Sequence, residues 1–170
     1  MKYISLLVLL LCACANHQQS VKSDIYLTDI HNAKIGTIWL KDTGKGLLVD
    51  VKLKNLPQGK HGFHIHENPD CTAGINSKGD VEYALNAGAH FDPHKTGKHL
   101  GPSANGHMGD LPYLTAQQNG TVKQRFYLKN RTVQDFKNKS LIVHEGADNY
   151  KDTPSLLGGG GKRIACGIIK

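Results

Sequence analysis

Alternating apolar and polar residues recur along most of this chain and constrain its fold more than any other feature. In GLLVDVKLKN, Val49, Val51 and Leu53 alternate with polar residues, and VKQRFYLK at 122–129 repeats the pattern. Successive side chains of a strand point to opposite faces, so each segment predicts a half-buried strand. Further strands are expected at 23–30, 34–41, 61–66, 111–116, 140–144 and 163–169. With the turn signals DTGKG and QNG between neighbours, they predict about eight antiparallel strands in a sandwich or flattened barrel.

Two long segments interrupt the alternation. Residues 67–110 and 145–162 are rich in Gly, Pro, Asn and Asp. A loop of about 40 residues within a compact domain is uncommon unless something holds it in place. The first loop carries candidates for that task, namely Cys71, His90, His94, His99, His107 and Asp110.

The amino terminus has the pattern of an export signal. Lys2 precedes a short apolar run at 4–11, which is shorter than the about 20 residues that a membrane span needs. Residues 11–14 have the form of a lipoprotein box, with Cys14 as the lipidated first residue, whereas residues 13–15 have the A-x-A form of ordinary cleavage. Both patterns stay open. We expect a signal segment at 1–15, a linker at 16–22 and one domain at 23–170, in the bacterial periplasm with no transmembrane span.

Export would place the cysteines of the folded domain in an oxidising compartment. Cys71 and Cys166 lie outside the signal, and an oxidising compartment favours a disulfide between them.

The formal net charge of +7 suits an anionic partner. Nucleic acid is not indicated, because no run of five basic residues occurs.

HGFHIHE at 61–67 raises the question of a metal site. His64 and His66 are two residues apart, so both imidazoles lie on one face of a strand, and His144 ends the apolar run SLIV and can join them. Such imidazole-rich coordination suits copper or zinc. His61 has the opposite parity, and we predict a structural histidine bonded to the backbone.

The first loop supplies a second candidate site. His90, His99, His107 and Asp110 offer three nitrogens and a carboxylate oxygen, which suits tetrahedral zinc. Spacing alone leaves His94 as available as His90, but the turn sequence Asp-Pro-His favours a solvent-exposed His94.

Six motifs in order, GFHIHE, AHFDP, GKHLGP, GHMGDLP, VHEGAD and GGGGKRIACGIIK, give the chain a close resemblance to the copper/zinc superoxide dismutases of the bacterial envelope. It runs from about Asp24 to the end of the sequence. The resemblance implies a Greek-key β-barrel whose two long loops carry the metals, in a monomer or homodimer.

The resemblance also implies roles for individual residues. The implied copper ligands are His64, His66, His90 and His144, and the implied zinc ligands are His90, His99, His107 and Asp110, so that His90 bridges both ions. Asp148 would link a copper ligand to a zinc ligand, and Cys71 and Cys166 would form the family's disulfide. Arg163 would be the active-site arginine, with Lys60 as a weaker contributor to the attracting field.

The implied activity is antioxidant: dismutation of superoxide to dioxygen and hydrogen peroxide, with His90 taking up and donating a proton. The alternative is a non-catalytic protein that sequesters copper and zinc on the same scaffold. A complete ligand set together with Arg163 favours the enzyme. His17, in the linker, suggests extra metal capture, but a single histidine does not establish it.

Overall fold

The structure, a computed structural model, describes residues 18–29 and 31–170. The predicted signal segment, Cys14 and His17 lie outside the described residues. The strands are β1 (Ser20–Leu27), β2 (Lys34–Thr43), β3 (Gly46–Leu53), β4 (Gly59–His61), β5 (Phe63–His66), β6 (Gly74–Ile75), β7 (Val81–Glu82), β8 (Leu114–Ala116), β9 (Val122–Leu128), β10 (Lys139–His144) and β11 (Arg163–Ile169). A four-residue helix, α1, spans Val133–Phe136, and 3-10 turns lie at Leu85–Ala87 and Leu156–Gly159.

Seven strands form one antiparallel sheet in the order β5-β10-β11-β1-β2-β3-β9. β4 pairs with β8, and β8 packs beside β9. Only Gly62 separates β4 from β5, so the two segments are one interrupted strand, and the sheet curls into a barrel of eight strands. The all-β fold predicted from the alternation is confirmed.

The interior follows the predicted alternation. Val49, Val51 and Leu53 of β3 are at most 4% exposed, whereas Lys52 between them faces solvent. Burying such side chains contributes about 1.5–3 kcal/mol each. The same cluster contains Phe63 and Ile65 of β5. β5 is therefore fixed to the core by one face, and its opposite face is left to carry histidines.

Three details differ from the sequence expectation. β1 begins at Ser20, inside the predicted linker, because its first residue pairs with Lys41 of β2 and the next two pair with Leu40 and Trp39. β8 begins only at Leu114, since the amide of Leu111 donates instead to the Phe63 carbonyl of β5. Short elements inside the loops, α1 and the β6–β7 hairpin, were not predicted, because they are too short to show a period.

The disulfide joins Cys71 of the first loop to Cys166 of β11, as predicted, with Cα atoms 5.8 Å apart. Cys166 is 2% exposed and pairs with Tyr26 of β1 and Ile142 of β10. The first loop is thereby attached to the middle of the sheet.

The bond closes a separation of 95 residues, for which unfolded-state entropy predicts a stabilisation of about 4–5 kcal/mol. We expect reduction of the wild type, or the pair Cys71→Ala and Cys166→Ala, to lower the unfolding free energy by about that amount. Urea unfolding in the presence of a chelator measures it without a contribution from metals. Equal midpoints for oxidised and reduced protein would contradict the expectation.

Candidate metal centre

The first cluster lies where β5 and β10 run side by side. His64 and His66 point away from the core side of β5, and His64 pairs with Ile142 two residues before His144 at the end of β10. His90 comes from the first loop and forms a bridge to the backbone of His66. One ligand atom from each of the four histidines lies within 4.8 Å of the others, and all four side chains are buried. The structure therefore brings the predicted copper set together.

The first loop is held against β5 by backbone hydrogen bonds. The amide of Phe91 donates to the Ile65 carbonyl at 2.9 Å, and the amide of Ile65 donates to the Gly109 carbonyl at 2.9 Å. The amide of Gly109 in turn donates to the Phe91 carbonyl at 2.8 Å. These bonds place His90 and Asp110, the neighbours of Phe91 and Gly109, beside the strand that carries His64 and His66.

The second cluster surrounds the Asp110 carboxylate. Its oxygens lie 3.0 Å from His90 Nδ1, 3.0 Å from His99 Nδ1 and 3.4 Å from His107 Nδ1. His64 also brings a ligand atom within 4.8 Å of those of His90, His99 and Asp110. His90 thus belongs to both clusters, and the four predicted zinc ligands adjoin one another.

Asp148 links the two clusters. Its carboxylate accepts hydrogen bonds from His64 Nε2 and from His99 Nε2, each at 2.8 Å, and from the Tyr150 amide at 2.7 Å. Because Nε2 donates, the proton of each neutral ring is on Nε2 and the lone pair is on Nδ1. His64 therefore directs a lone pair into the clusters, and His99 does so once it loses its second proton.

Two other rings are fixed by backbone carbonyls. His66 Nδ1 donates to Gly88 at 2.9 Å, and His144 Nδ1 donates to Gly161 at 3.1 Å. In each ring the bonded nitrogen faces outward, and Nε2 is left as the lone-pair nitrogen.

The inner nitrogens test whether these residues fit metal ions. Five buried ring nitrogens lack a hydrogen-bond partner among the described residues: His64 Nδ1, His66 Nε2, His99 Nδ1, His107 Nδ1 and His144 Nε2. The 3.0 Å approach of His99 Nδ1 to Asp110 does not have hydrogen-bond angles. Buried nitrogens without partners are costly unless they bind something. Lone pairs that converge with a carboxylate are the donor set of a cation, so the residues fit copper and zinc.

Burial sets the protonation of the clusters. It disfavours the imidazolium and lowers the pKa of His90 to about 4 and that of His144 to about 3. Burial also opposes the charge on His99, but the close approach of the Asp110 and Asp148 carboxylates outweighs it and raises the pKa of His99 to about 9. Most of the rings are thus neutral and ready to coordinate at pH 7, and a cation that binds His99 must displace a proton.

Arg163 begins β11 opposite His144. Its guanidinium donates to the carbonyls of Ala84 at 2.6 Å, Leu85 at 3.2 Å and Gly88 at 2.9 Å. The Gly88 carbonyl also accepts from His66, so one peptide group positions both an inner ring and the arginine. Burial, together with the charge of Arg163, lowers the pKa of both His66 and His144, so the field of the arginine reaches the first cluster.

The other residues singled out in the sequence lie outside the clusters. His61 is buried, with Nδ1 2.7 Å from the His144 carbonyl and Nε2 2.8 Å from the Pro57 carbonyl, so the structural role predicted for it is confirmed. His94 is exposed, as expected. The ammonium of Lys60 lies 4.5 Å from the centre of the Tyr113 ring.

Sequence reasoning missed several groups that support the site. The carbonyls of Gly88 and Gly161 orient ligand rings, yet a backbone acceptor has no signature in the sequence. Asp152 accepts from the His99 amide at 2.9 Å, and its position four residues after Asp148 was the only available signal.

Comparison with known proteins agrees with this geometry. The family model described as copper/zinc superoxide dismutase (SODC) matches residues 34–169. A Cu-Zn superoxide dismutase of Brucella abortus is 45% identical over 138 residues, which is 81% of this chain and 79% of that protein. A second one, from Salmonella typhimurium, is 41% identical over 174 positions and covers 100% of both chains. The solved structure of the Brucella abortus enzyme superposes with a TM-score of 0.85 at 41% identity, over 89% of this chain and 100% of that chain.

Two glycines offer a matched test of the Asp148 bridge. Gly158 and Gly79 both have positive φ, 73° and 87°, so alanine costs backbone strain at either position. A Cβ at Gly158 would overlap Asp148 Oδ1 and approach His99 Nε2 to 2.8 Å, whereas a Cβ at Gly79 has nothing within 4 Å. We expect Gly158→Ala to weaken metal affinity about 10- to 100-fold and Gly79→Ala to leave it nearly unchanged, in competition titrations with chelators. Equal affinities for the two variants would contradict the role given to Asp148.

Proposed function

This chain belongs to the copper/zinc superoxide dismutase family, and from that membership we propose which of its residues carry the reaction. The enzyme converts two superoxide anions and two protons into dioxygen and hydrogen peroxide. The observation that carries the proposal is the pair of adjoining histidine clusters that share His90 and are linked by Asp148.

Copper would be held by His64 Nδ1, His66 Nε2, His144 Nε2 and His90. The first three atoms are buried and have no hydrogen-bond partner in the described part of the chain. His64 offers only one free nitrogen because Asp148 takes the other. We therefore assign His64 to the copper set alone, although its ring also lies near the second cluster.

Zinc would be held by His99 Nδ1, His107 Nδ1, Asp110 and His90 Nδ1. Each of the three nitrogens lies within 3.4 Å of an Asp110 oxygen. The Leu100 and Gly101 amides donate to Asp110 Oδ2 at 3.2 Å. These ligands come from one irregular stretch of loop, so a bound cation would also hold that stretch in its conformation.

When bound, copper supplies the one-electron oxidation of one superoxide anion and the one-electron reduction of the next. The remaining tasks fall to side chains. His90 uses Nδ1 toward Asp110 and has Nε2 for the first cluster, and we assign to Nε2 the uptake of a proton and its transfer to the departing peroxide. Asp148 keeps the protons of His64 and His99 on their outer nitrogens, which maintains the lone pairs of both.

Arg163 would attract and dock the anion. A guanidinium stays charged at any working pH and presents several donors in a fixed plane. Three carbonyls hold it beside the first cluster, so little ordering is needed when superoxide arrives. Lys60 would add to the attracting field, and its place over Tyr113 makes its contribution the smaller one.

A non-catalytic protein that sequesters copper and zinc is the alternative use of these clusters. Sequestration needs the ligands but has no use for a half-buried cation beside them, because a positive charge opposes metal binding. The position of Arg163 therefore supports the enzyme.

The location and assembly that we propose follow from the sequence patterns. Residues 1–15 would direct export to the periplasm, with lipidation at Cys14 as one outcome of processing, and residues 23–170 would form the enzyme domain. In the part of the chain that the structure describes, no helix is long and apolar enough to cross a membrane. All proposed ligands and Arg163 come from one chain, so a monomer or a homodimer would carry complete sites.

Metal analysis combined with a dismutation assay tests the function. We expect purified protein to contain copper and zinc, to lose activity on chelation and to regain it only when copper is restored. Protein that is loaded with both metals but does not remove superoxide would favour sequestration, and protein that holds neither metal would exclude both functions.

Replacement of Arg163 tests the docking role. We expect Arg163→Ala to keep both metals, to lower kcat/KM by about tenfold or more and to weaken the dependence of the rate on salt. Arg163→Lys should restore part of the rate. The control is Arg125→Ala, since Arg125 lies on β9 at the far edge of the sheet and pairs with Asp50. An unchanged rate in Arg163→Ala would remove the arginine from this role.

A further inference from the structure

One end of the barrel carries a concentration of positive charge, and we propose that it binds the anionic headgroups of a phospholipid membrane. This basic end is defined by Lys41, Lys45, Lys129, Arg131, Lys137 and Lys170. All except the half-buried Arg131 are exposed. The inference goes beyond dismutation and does not depend on it.

Strand register places these cations together. Lys41 is opposite Ser20, the first residue of β1, and Lys45 lies in the turn between β2 and β3. Lys129 follows the end of β9, where Leu128 pairs with Leu47.

The remaining cations of the basic end lie around the short helix. The first amide of α1, at Val133, donates to Asp42 at the end of β2. Lys137 and Lys170 line one surface cavity with Ser20 and Val133. Residues far apart in the sequence therefore present one basic surface.

Ion pairs do not neutralise the charge of this surface, although the nearby Asp42 and Asp135 carboxylates offset part of it. None of its six cations forms an ion pair with any other residue that the structure describes. The nearby carboxylates are engaged with backbone: Asp135 accepts from the Thr132 amide at 2.7 Å, and Asp42 from the Val133 amide at 2.7 Å. Uncompensated lysines and arginines near an anionic bilayer contribute about 1 kcal/mol each to attraction.

The course of the chain favours a membrane over nucleic acid as the partner. The described chain enters the barrel at this end, through β1 at Ser20. Cys14, the candidate lipidation site, is six residues earlier, a reach of about 20 Å when extended. An anchor there would hold this end, rather than the other, against the bilayer.

Docking through the basic end also leaves the catalytic side open. Arg163 begins β11 and Lys170 directly follows its last residue, Ile169, so the two are about 23 Å apart at the rise of a strand. The Arg163 side would face away from the lipid. Tyr127, which is 49% exposed beside this end, has the amphipathic ring that suits the headgroup region.

Vesicle binding tests the proposal. The probe is a vesicle of phosphatidylglycerol and phosphatidylethanolamine, with phosphatidylcholine vesicles for comparison. The protein is the processed, metal-loaded form carrying Cys14→Ser, so that no acyl chain contributes, with leader removal verified by mass. We expect salt-sensitive binding to the anionic vesicles only, and the triple variant Lys45→Gln, Lys129→Gln and Lys137→Gln should bind about a hundredfold more weakly.

A control of equal charge separates this surface from net charge. The triple variant Lys52→Gln, Lys54→Gln and Lys123→Gln removes three exposed lysines from elsewhere on the barrel and should retain most of the binding. The triple variant of the basic end should keep the dismutation rate of the wild type, because strand register places its lysines at the end of the barrel opposite Arg163, beyond the screening length of about 8 Å. Equal loss in the two triples, binding no tighter than to phosphatidylcholine, or tighter binding to duplex DNA at equal phosphate would each overturn the proposal.

Discussion

In four of the six proposed ligand rings the outer nitrogen is bonded to a protein acceptor, and the rest of the site depends on this constraint. Asp148 accepts hydrogen bonds from the outer nitrogens of His64 and His99. The carbonyls of Gly88 and Gly161 accept from the outer nitrogens of His66 and His144. A neutral imidazole has one donor and one acceptor nitrogen. Once the donor is fixed outside, the lone pair must face inward, and several inward lone pairs in a dry space require cations.

The β-framework holds this arrangement without loss of core packing. β5 is held by Phe63 and Ile65 in the core, so its other face can carry His64 and His66 without loss of packing. The irregular loop that brings His90 is attached by backbone bonds to β5 and by the Cys71–Cys166 bond to β11. The same loop provides the carbonyls that hold Arg163. The Gly88 carbonyl, which accepts from the proposed copper ligand His66, is therefore also one of the carbonyls that hold the proposed docking residue Arg163.

The sequence predicted what depends on local pattern. Strand parity alone separated His64 and His66 from His61, and alternation located the core face of β3, because both follow from the two-residue period of a strand. The choice of His90 over His94 rested on a turn signal and on family resemblance. Contacts set by tertiary folding could not be predicted: no sequence feature marks the Gly88 carbonyl as the acceptor for both His66 and Arg163. The early start of β1 was missed because Val21 is the only apolar residue among its first four.

The central claim is that His90 is shared, with one nitrogen for each metal. The most direct measurement is a crystal structure of protein loaded with copper and zinc, with anomalous data collected on both sides of each metal's absorption edge. The account predicts zinc about 2.0–2.1 Å from His90 Nδ1, on the Asp110 side, and copper on the Nε2 side among His64, His66 and His144. Two occupied metal sites with His90 bound to only one ion, or to neither, would contradict it.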